Sequence, residues 1–489
     1  MIRPWLLLGL LVLMIGVGAL TYTLASSSPT VHHAATLPAD AVALGASSSS
    51  VPAQTVALGM GSGTSDILNS SMADILQRAK LNVLRFGDIG ADDYDWQGGC
   101  IYGDVGSRRE CYGLSGQGGK LDQFLAFAGR IKAQPLIVVN GEVDDPQRAA
   151  GLVSYYWQHC VHAAHQQCPD PYWEIGDSPA SWKHFAVPLA QRRLADAQVI
   201  QPDQYAALVI AYASAMSQAD PYYQHHKIKI VADEWITGAT DQSWIDTVTA
   251  IDTHYAPLLY APPGPPPTAQ SVVEAVQYGH GGRPGVDSWL QDLRDSLSQF
   301  SQSGSISIIL GRWSIDANVS AVEPNVYSGY AQALFTAQMI AHVWRDAQGV
   351  GQNPILMAVQ SPITGPAQEP FDITSLEPRA TVSVYTLIGQ HFGSHPIPLQ
   401  LGSGVQSGGI AAAASLAGRG DARILLVNTS STQSHTVELR NMPAGPYDMW
   451  WIVPEQNMPA GVSAIKHMRV SGTRIIVPPW AIAVVQAHA

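Results

Sequence analysis

Four carboxylates stand at or just beyond the ends of short apolar runs: Asp88, Asp177, Glu234 and Asp316. Two carboxyl groups whose surroundings push their pKa values apart can divide acid and base work, or acid and nucleophile work, at one bond. Glu234 closes the run Val231-Ala232-Asp233-Glu234-Trp235. The pairs placed to cooperate are Asp177 with Glu234 and Glu234 with Asp316. Around them the run ends carry Arg85, Asn140, Ser178, His254, Tyr255, Arg312 and Trp313, which can hydrogen-bond to or stack on a polar ligand. Each also has an ordinary structural reading: a loop salt bridge for the acids, a satisfied buried group for His254, core packing for Trp313. Glu174 shares a strand face with Ser178 but lies about 13 Å deeper at roughly 3.3 Å per residue, which reads as an interior position.

The elements that must position these residues are legible as apolar runs. Eight occur between residues 55 and 392: Thr55–Gly59, Asn82–Phe86, Pro135–Asn140, Tyr172–Gly176, Ile228–Ala232, Ala250–Tyr255, Ile306–Leu310 and Ile355–Val359. Helical stretches such as Leu121–Ala133, Gln204–Gln218 and Tyr330–Val343 separate them. Eight β-then-α units predict an α/β fold, a parallel (β/α)8 TIM barrel over residues 55–394. An open doubly wound sheet is the rival, disfavoured by the count of eight and by the lack of a Gly-rich dinucleotide fingerprint. From 395 to 489 the pattern becomes alternation, as in His435–Arg440, with further strand candidates at Arg423–Asn428, Met449–Val453 and Arg474–Val477. This predicts a C-terminal antiparallel β-sandwich without helices.

Residues Trp5–Ala25 are 21 uncharged positions following Arg3, enough to cross a hydrocarbon core of about 30 Å at about 1.5 Å per residue. The expectation for residues 1–25 is a transmembrane signal anchor, with a cleaved signal peptide ending at Thr23-Leu24-Ala25 as the alternative. Either places the bulk of the chain outside the cytoplasm. Residues 26–54, rich in Ser, Ala, Thr and Pro, read as a disordered linker. Four cysteines suit an oxidising compartment, with Cys100 paired to Cys111 and Cys160 to Cys168 across short loops. The rival there is a structural zinc site from Cys160, His162, His165 and Cys168. No catalytic metal or cofactor is expected.

The 489 residues carry a net charge of −12 and only 13% charged side chains. That balance argues against nucleic acid, whose phosphates call for basic patches. A neutral, polar partner such as an oligo- or polysaccharide suits the composition.

Several segments together resemble clan A glycoside hydrolases, the barrel group that includes arabinofuranosidases, xylosidases and glucuronidases. Tyr172-Trp173-Glu174-Ile175-Gly176-Asp177-Ser178-Pro179 is similar to their WEIGNEP segment, and Ile308–Ser314 to their TEWN-type segment. Leu84–Trp96 resembles their LRYPGGxxADxYDW stretch, Val138–Gly141 a VNxG strand end, and Ile251–Tyr255 a segment ending in HYY. The likeness covers residues 55–489 and implies a barrel followed by a β-sandwich. It also implies that Arg85 bonds the nucleophile, that position 178 is the acid/base and that position 312 is the nucleophile. Here those two places hold Ser178 and Arg312, and Asp177 replaces an Asn that binds a sugar hydroxyl. A serine hydroxyl is far too weak an acid, and a guanidinium offers no nucleophilic lone pair. The resemblance therefore implies a carbohydrate-binding barrel without the standard retaining chemistry. The alternatives are a hydrolase with relocated carboxylates, or a cell-envelope scaffold.

Overall fold

The computed structural model describes residues 37–487 apart from loop segments, the longest being 46–54, 183–198, 259–267, 316–328 and 454–462. The expected signal anchor or signal peptide at 1–25 lies outside the described residues, as do Asp88 and Asp316. Among the described residues, no helix is long and apolar enough to cross a membrane.

Eight parallel strands close into a barrel: Ala57–Ser62, Val83–Phe86, Gln134–Val139, Tyr172–Ile175, Lys229–Asp233, Ala250–Tyr255, Ser307–Trp313 and Ile355–Gln360. They are barrel strands one to eight in chain order, and each falls on one of the eight apolar runs. The inner floor is apolar, formed by residues including Val83, Leu136, Tyr172, Val231, Ala250, Ile309 and Met357. One layer above it, strands two, four and six contribute Arg85, Glu174 and Asp252, all fully buried. Alternate strands filling one layer is the packing rule of this barrel type. Here that layer is ionic. The helices Gly119–Ile131, Pro202–Ala219 and Tyr330–Asp346 occupy the expected places. Tyr330–Asp346 is buried along nearly its whole length, because strand Ile410–Ala417 of the C-terminal sandwich packs against it. A helix apolar on every side needs partners on every side.

The sandwich departs from expectation in three ways. Its larger sheet has six antiparallel strands, including Ile410–Ala417, Asp421–Asn428, Tyr447–Ile452 and Ile482–Ala487. Its smaller sheet contains a strand from the predicted linker: Ala41–Leu44 pairs antiparallel with Leu399–Leu401 and parallel with His435–Arg440. The linker is therefore not disordered throughout, nor is the sandwich purely antiparallel. Val42 and Leu44 drive this, being 0% and 8% exposed; their short apolar pattern is hidden in a Ser/Ala-rich context. Finally, a short helix, Ser403–Ser407, lies within the region read as helix-free.

Cys100 and Cys111 lie in the two strands of a hairpin, Cys100–Val105 and Arg108–Tyr112, on either side of its turn. Cys160 and His162 fall within helix Pro146–Ala164. His165 and Cys168 lie outside the described residues, as do the side chains of Cys111, Cys160 and His162.

The added strand gives a direct prediction. A chain beginning at residue 38 should melt like the full protein. One beginning at residue 55 should lose about 3 kcal/mol or more, from burial of Val42 and Leu44 at roughly 1.5–3 kcal/mol each. Urea denaturation of the two truncations checks it, and equal midpoints would refute it.

Candidate functional site

The site is organised around Arg85. Its Nε donates to Glu174 Oε2 at 2.8 Å, and its Nη2 donates to Glu174 Oε1 and Asp177 Oδ1, both at 2.5 Å. Its Nη1 donates to the Gly87 carbonyl at 2.6 Å. Asp252 Oδ2 lies 3.6 Å from the same Nη2. One guanidinium thus faces three carboxyl groups in a dry interior. Burial alone would strip charge from all of them, because transfer out of water penalises the ionised form. The outcome differs by residue. Burial pushes Glu174 well above the usual carboxylate range, and Arg85 beside it does not fully offset this. Asp177 goes the other way: against the cost of burial, Arg85, His254 and Arg312 hold it well below that range.

His254 is the second cation. Its Nε2 lies 3.1 Å from Asp252 Oδ2 and 3.6 Å from Asp177 Oδ1. Burial opposes its charge, but the two aspartates raise it to about 10. Asp252 also accepts the Gly311 amide at 2.6 Å. Only glycine fits there, since a Cβ at 311 would stand 2.1 Å from Asp252 Oδ1. Glu174, Asp252 and His254 bring ligand atoms within 4.8 Å of one another, a spacing a metal could use. The bridging positive charge among them is already supplied by Arg85.

The loop after strand four decides where Asp177 points. In an ideal strand Asp177 and Ser178 would face opposite sides. The strand instead ends at Ile175, and Gly176 takes φ 76°, a left-handed conformation suited to glycine. This turns Asp177 inward onto Arg85. Asp92 fixes the turn from behind: it accepts the Asp177 amide at 3.1 Å, the Ser178 amide at 3.2 Å and Trp182 Nε1 at 2.6 Å. The cost of enclosing its charge, with Asp177 alongside, raises Asp92 to about 7.

Glu234 begins a 3₁₀ turn after strand five, capped by Asp233, whose Oδ1 accepts the Trp235 amide at 2.7 Å. Thr253 Oγ1 donates to Glu234 Oε2. Burial raises the Glu234 pKa despite that bond.

The predicted ligand residues separate into two groups. Ser178, Glu234, His254 and Arg312 are each part-exposed at the C-terminal mouth of the barrel. Ser178 Oγ donates to Asp177 Oδ2 at 3.3 Å, and Arg312 pairs with His254 in the strand register. Three others are taken out of the cleft. Trp313 is 1% exposed and packs on Phe335, 5.9 Å between centroids. Tyr255 stacks on Trp289 at 4.5 Å and donates to the Pro284 carbonyl at 3.0 Å. Tyr255 faces the helices by alternation from the inward Asp252 and His254, and Trp313 does so because a bulge at Gly311 shifts the register of its strand. Asn140 is spent on the backbone: it donates to the Tyr94 carbonyl at 3.0 Å and accepts the Val143 amide at 2.9 Å. Arg85 is fully enclosed and acts through Asp177 and Glu174 rather than by contact.

Sequence reasoning passed over Asp92 and Asp252. Asp252 carried a usable signal, because it stands two residues before His254 and so shares its strand face. Asp92 carried none beyond its place in the Ala91–Trp96 stretch.

The same architecture occurs in solved glycosidases. An α-L-arabinofuranosidase from Thermotoga maritima superposes with a TM-score of 0.67 at 14% identity, covering 92% of this chain and 100% of that one. A family 51 arabinofuranosidase from Xanthomonas axonopodis pv. citri gives 0.65 at 14% identity, covering 92% and 100%. A family 44 xyloglucanase from Paenibacillus polymyxa gives 0.62 at 10%, covering 92% and 99%. This chain has the fold of the clan A glycoside hydrolases. No family profile matches the sequence, and no curated protein does.

Two measurements test the ionic layer. Arg85→Met leaves Glu174, Asp177 and Asp252 facing one another without their shared cation, and should cost about 3–5 kcal/mol in urea denaturation. His254 titrates at about 10 when folded, against an ordinary 6.5. Its contribution is therefore complete below about pH 6.5 and lost as pH rises through about 10. The melting temperature should fall across that window, and His254→Gln should flatten the fall. A wild-type profile flat from pH 6.5 to 10 would contradict the assignment.

Proposed function

We propose that this chain is an extracytoplasmic glycoside hydrolase-like protein. In this reading it binds an oligo- or polysaccharide across the barrel mouth and does not cleave it by the two-carboxylate retaining route. One observation carries the proposal. In the resembled family the strand-two arginine bonds the nucleophile; here Arg85 closes on Glu174 and Asp177 instead. The retaining mechanism needs a neutral acid and an ionised nucleophile about 5–5.5 Å apart. The positions that would carry them hold Ser178 and Arg312. What remains at the mouth is Ser178, Glu234, His254 and Arg312, a set of donors and one acceptor suited to sugar hydroxyls. The fold likeness to an arabinofuranosidase and a xyloglucanase supports a saccharide partner.

A second reading has its own support. Asp177 is held ionised while the Glu234 pKa is raised. That is the division of labour a relocated acid and nucleophile would need. In this reading Glu234 protonates the leaving oxygen.

The compartment follows from the uncharged segment at 5–25 and the cysteines. In this reading residues 1–25 are a signal anchor or a cleaved signal peptide, and the pairs Cys100–Cys111 and Cys160–Cys168 are oxidised.

One experiment separates the readings. The full-length protein is screened against arabinoside, xyloside and glucuronide aryl substrates and against plant-type and bacterial polysaccharides, with binding and turnover followed together. Saturable polysaccharide binding without turnover is expected, weakened about tenfold by Arg312→Ala through loss of a charged hydrogen-bond donor. Turnover that Glu234→Gln abolishes would replace the first reading by the second. Absence of both binding and turnover would leave a scaffold.

A further inference from the structure

A cavity lies at the end of the barrel opposite the mouth, between its N-terminal face and the sandwich. Its volume is about 370 Å³, within the range of small-molecule sites, roughly 300–1,000 Å³. Lys80 and Arg423 line it, with Asn82, Gln390, Ser394 and Trp344. Lys80 follows helix Ser70–Arg78, and Arg423 lies on sandwich strand Asp421–Asn428. Arg423 Nε is enclosed with no hydrogen-bond partner among the described residues. A buried guanidinium N–H left unmatched is unusual, because such donors are normally satisfied. Asp421, two residues earlier on the same strand, is the acid that acts on Arg423, and it accepts Gln486 Nε2 at 3.5 Å instead of a guanidinium hydrogen. The region therefore carries surplus positive potential. His391 registers it: burial, then Arg423, Lys80 and His467, push that imidazole down to about 4. The cavity wall is stiff, since Trp344 Nε1 donates to the Gly393 carbonyl at 3.1 Å and Ser415 Oγ accepts the Gly393 amide at 2.8 Å.

We propose that this cavity binds a monosaccharide-sized sugar acid, with its carboxylate or phosphate seated between Lys80 and Arg423. Size, two cations on one lining, and amide and hydroxyl side chains for ring hydroxyls together define that class. The site is separate from the barrel mouth and does not depend on whether the mouth cleaves or only binds. Charge-assisted bonds from two cations select the acidic sugar over its neutral counterpart.

The test is calorimetric titration of the full-length protein with glucuronate, glucose 6-phosphate, glucose and inorganic phosphate. Glucuronate or glucose 6-phosphate should bind with a stoichiometry of one, and glucose at least about tenfold more weakly, the loss of one charged hydrogen bond. Arg423→Gln should weaken the acidic sugar by about tenfold or more, and Lys80→Gln, at an exposed position, should do the same without affecting the melting temperature. Equal affinity for glucose, undiminished binding in both variants, or no binding of either acid would overturn the proposal. Inorganic phosphate binding more tightly than both acidic sugars would overturn the sugar assignment.

Discussion

Three carboxyl groups and one guanidinium share the centre of this barrel, and the mouth is arranged around their balance. Arg85 is enclosed above an apolar floor and makes direct bonds to Glu174, Asp177 and Gly87. A charge in such a place is tolerable only when it is paired and its hydrogen-bonding capacity is used. The pairing reaches from strand two to strand four, and His254 extends it to strand six through Asp252. Barrel closure and cleft electrostatics are thus one problem. The side chains that keep the centre neutral also settle which groups reach the ligand.

The consequence at the mouth is selective. Asp177 remains ionised because Arg85, His254 and Arg312 surround it, and its outer oxygen is reached by Ser178. Glu234 sits apart on its 3₁₀ turn, with burial favouring its neutral form. The mouth therefore holds one shielded anion, one acid of raised pKa and two nearby cations. The glutamates that the retaining mechanism would use are absent from positions 178 and 312. Attack by Asp177 on a substrate carbon would require it to leave Arg85, and the short Arg85–Asp177 bond opposes that.

The other end of the molecule obeys a different constraint. The sandwich borrows a strand from ahead of the barrel, so residues 41–44 stitch the start of the fold to its end. Separately, strand Ile410–Ala417 of the larger sheet packs on helix Tyr330–Asp346, and Lys80 and Arg423 line the seam between barrel and sandwich. The mouth residues are set by the barrel strands, whereas the cavity at that seam is set by the docking of two layers.

All eight barrel strands were legible in the sequence because a parallel strand buried on both faces must be a short, nearly continuous apolar run. The cleft residues at strand ends were legible in part. Glu234, His254, Ser178 and Arg312 follow from strand position. Asp252 was readable in principle by two-residue periodicity, whereas the place of Asp92 behind the strand-four turn depends on a contact across about ninety positions. Ala41–Leu44 was obscured by its Ser/Ala-rich surroundings, since composition averages over a window longer than four residues. By itself, then, the sequence determined the barrel and the absence of glutamates at positions 178 and 312, because periodicity and residue identity are local properties. Tertiary structure alone decided that Trp313 faces the helices, that Asp177 turns inward, and that Arg85 bonds Asp177 and Glu174. Register shifts, the left-handed turn at Gly176 and the pairing of buried charges are settled only when distant strands meet.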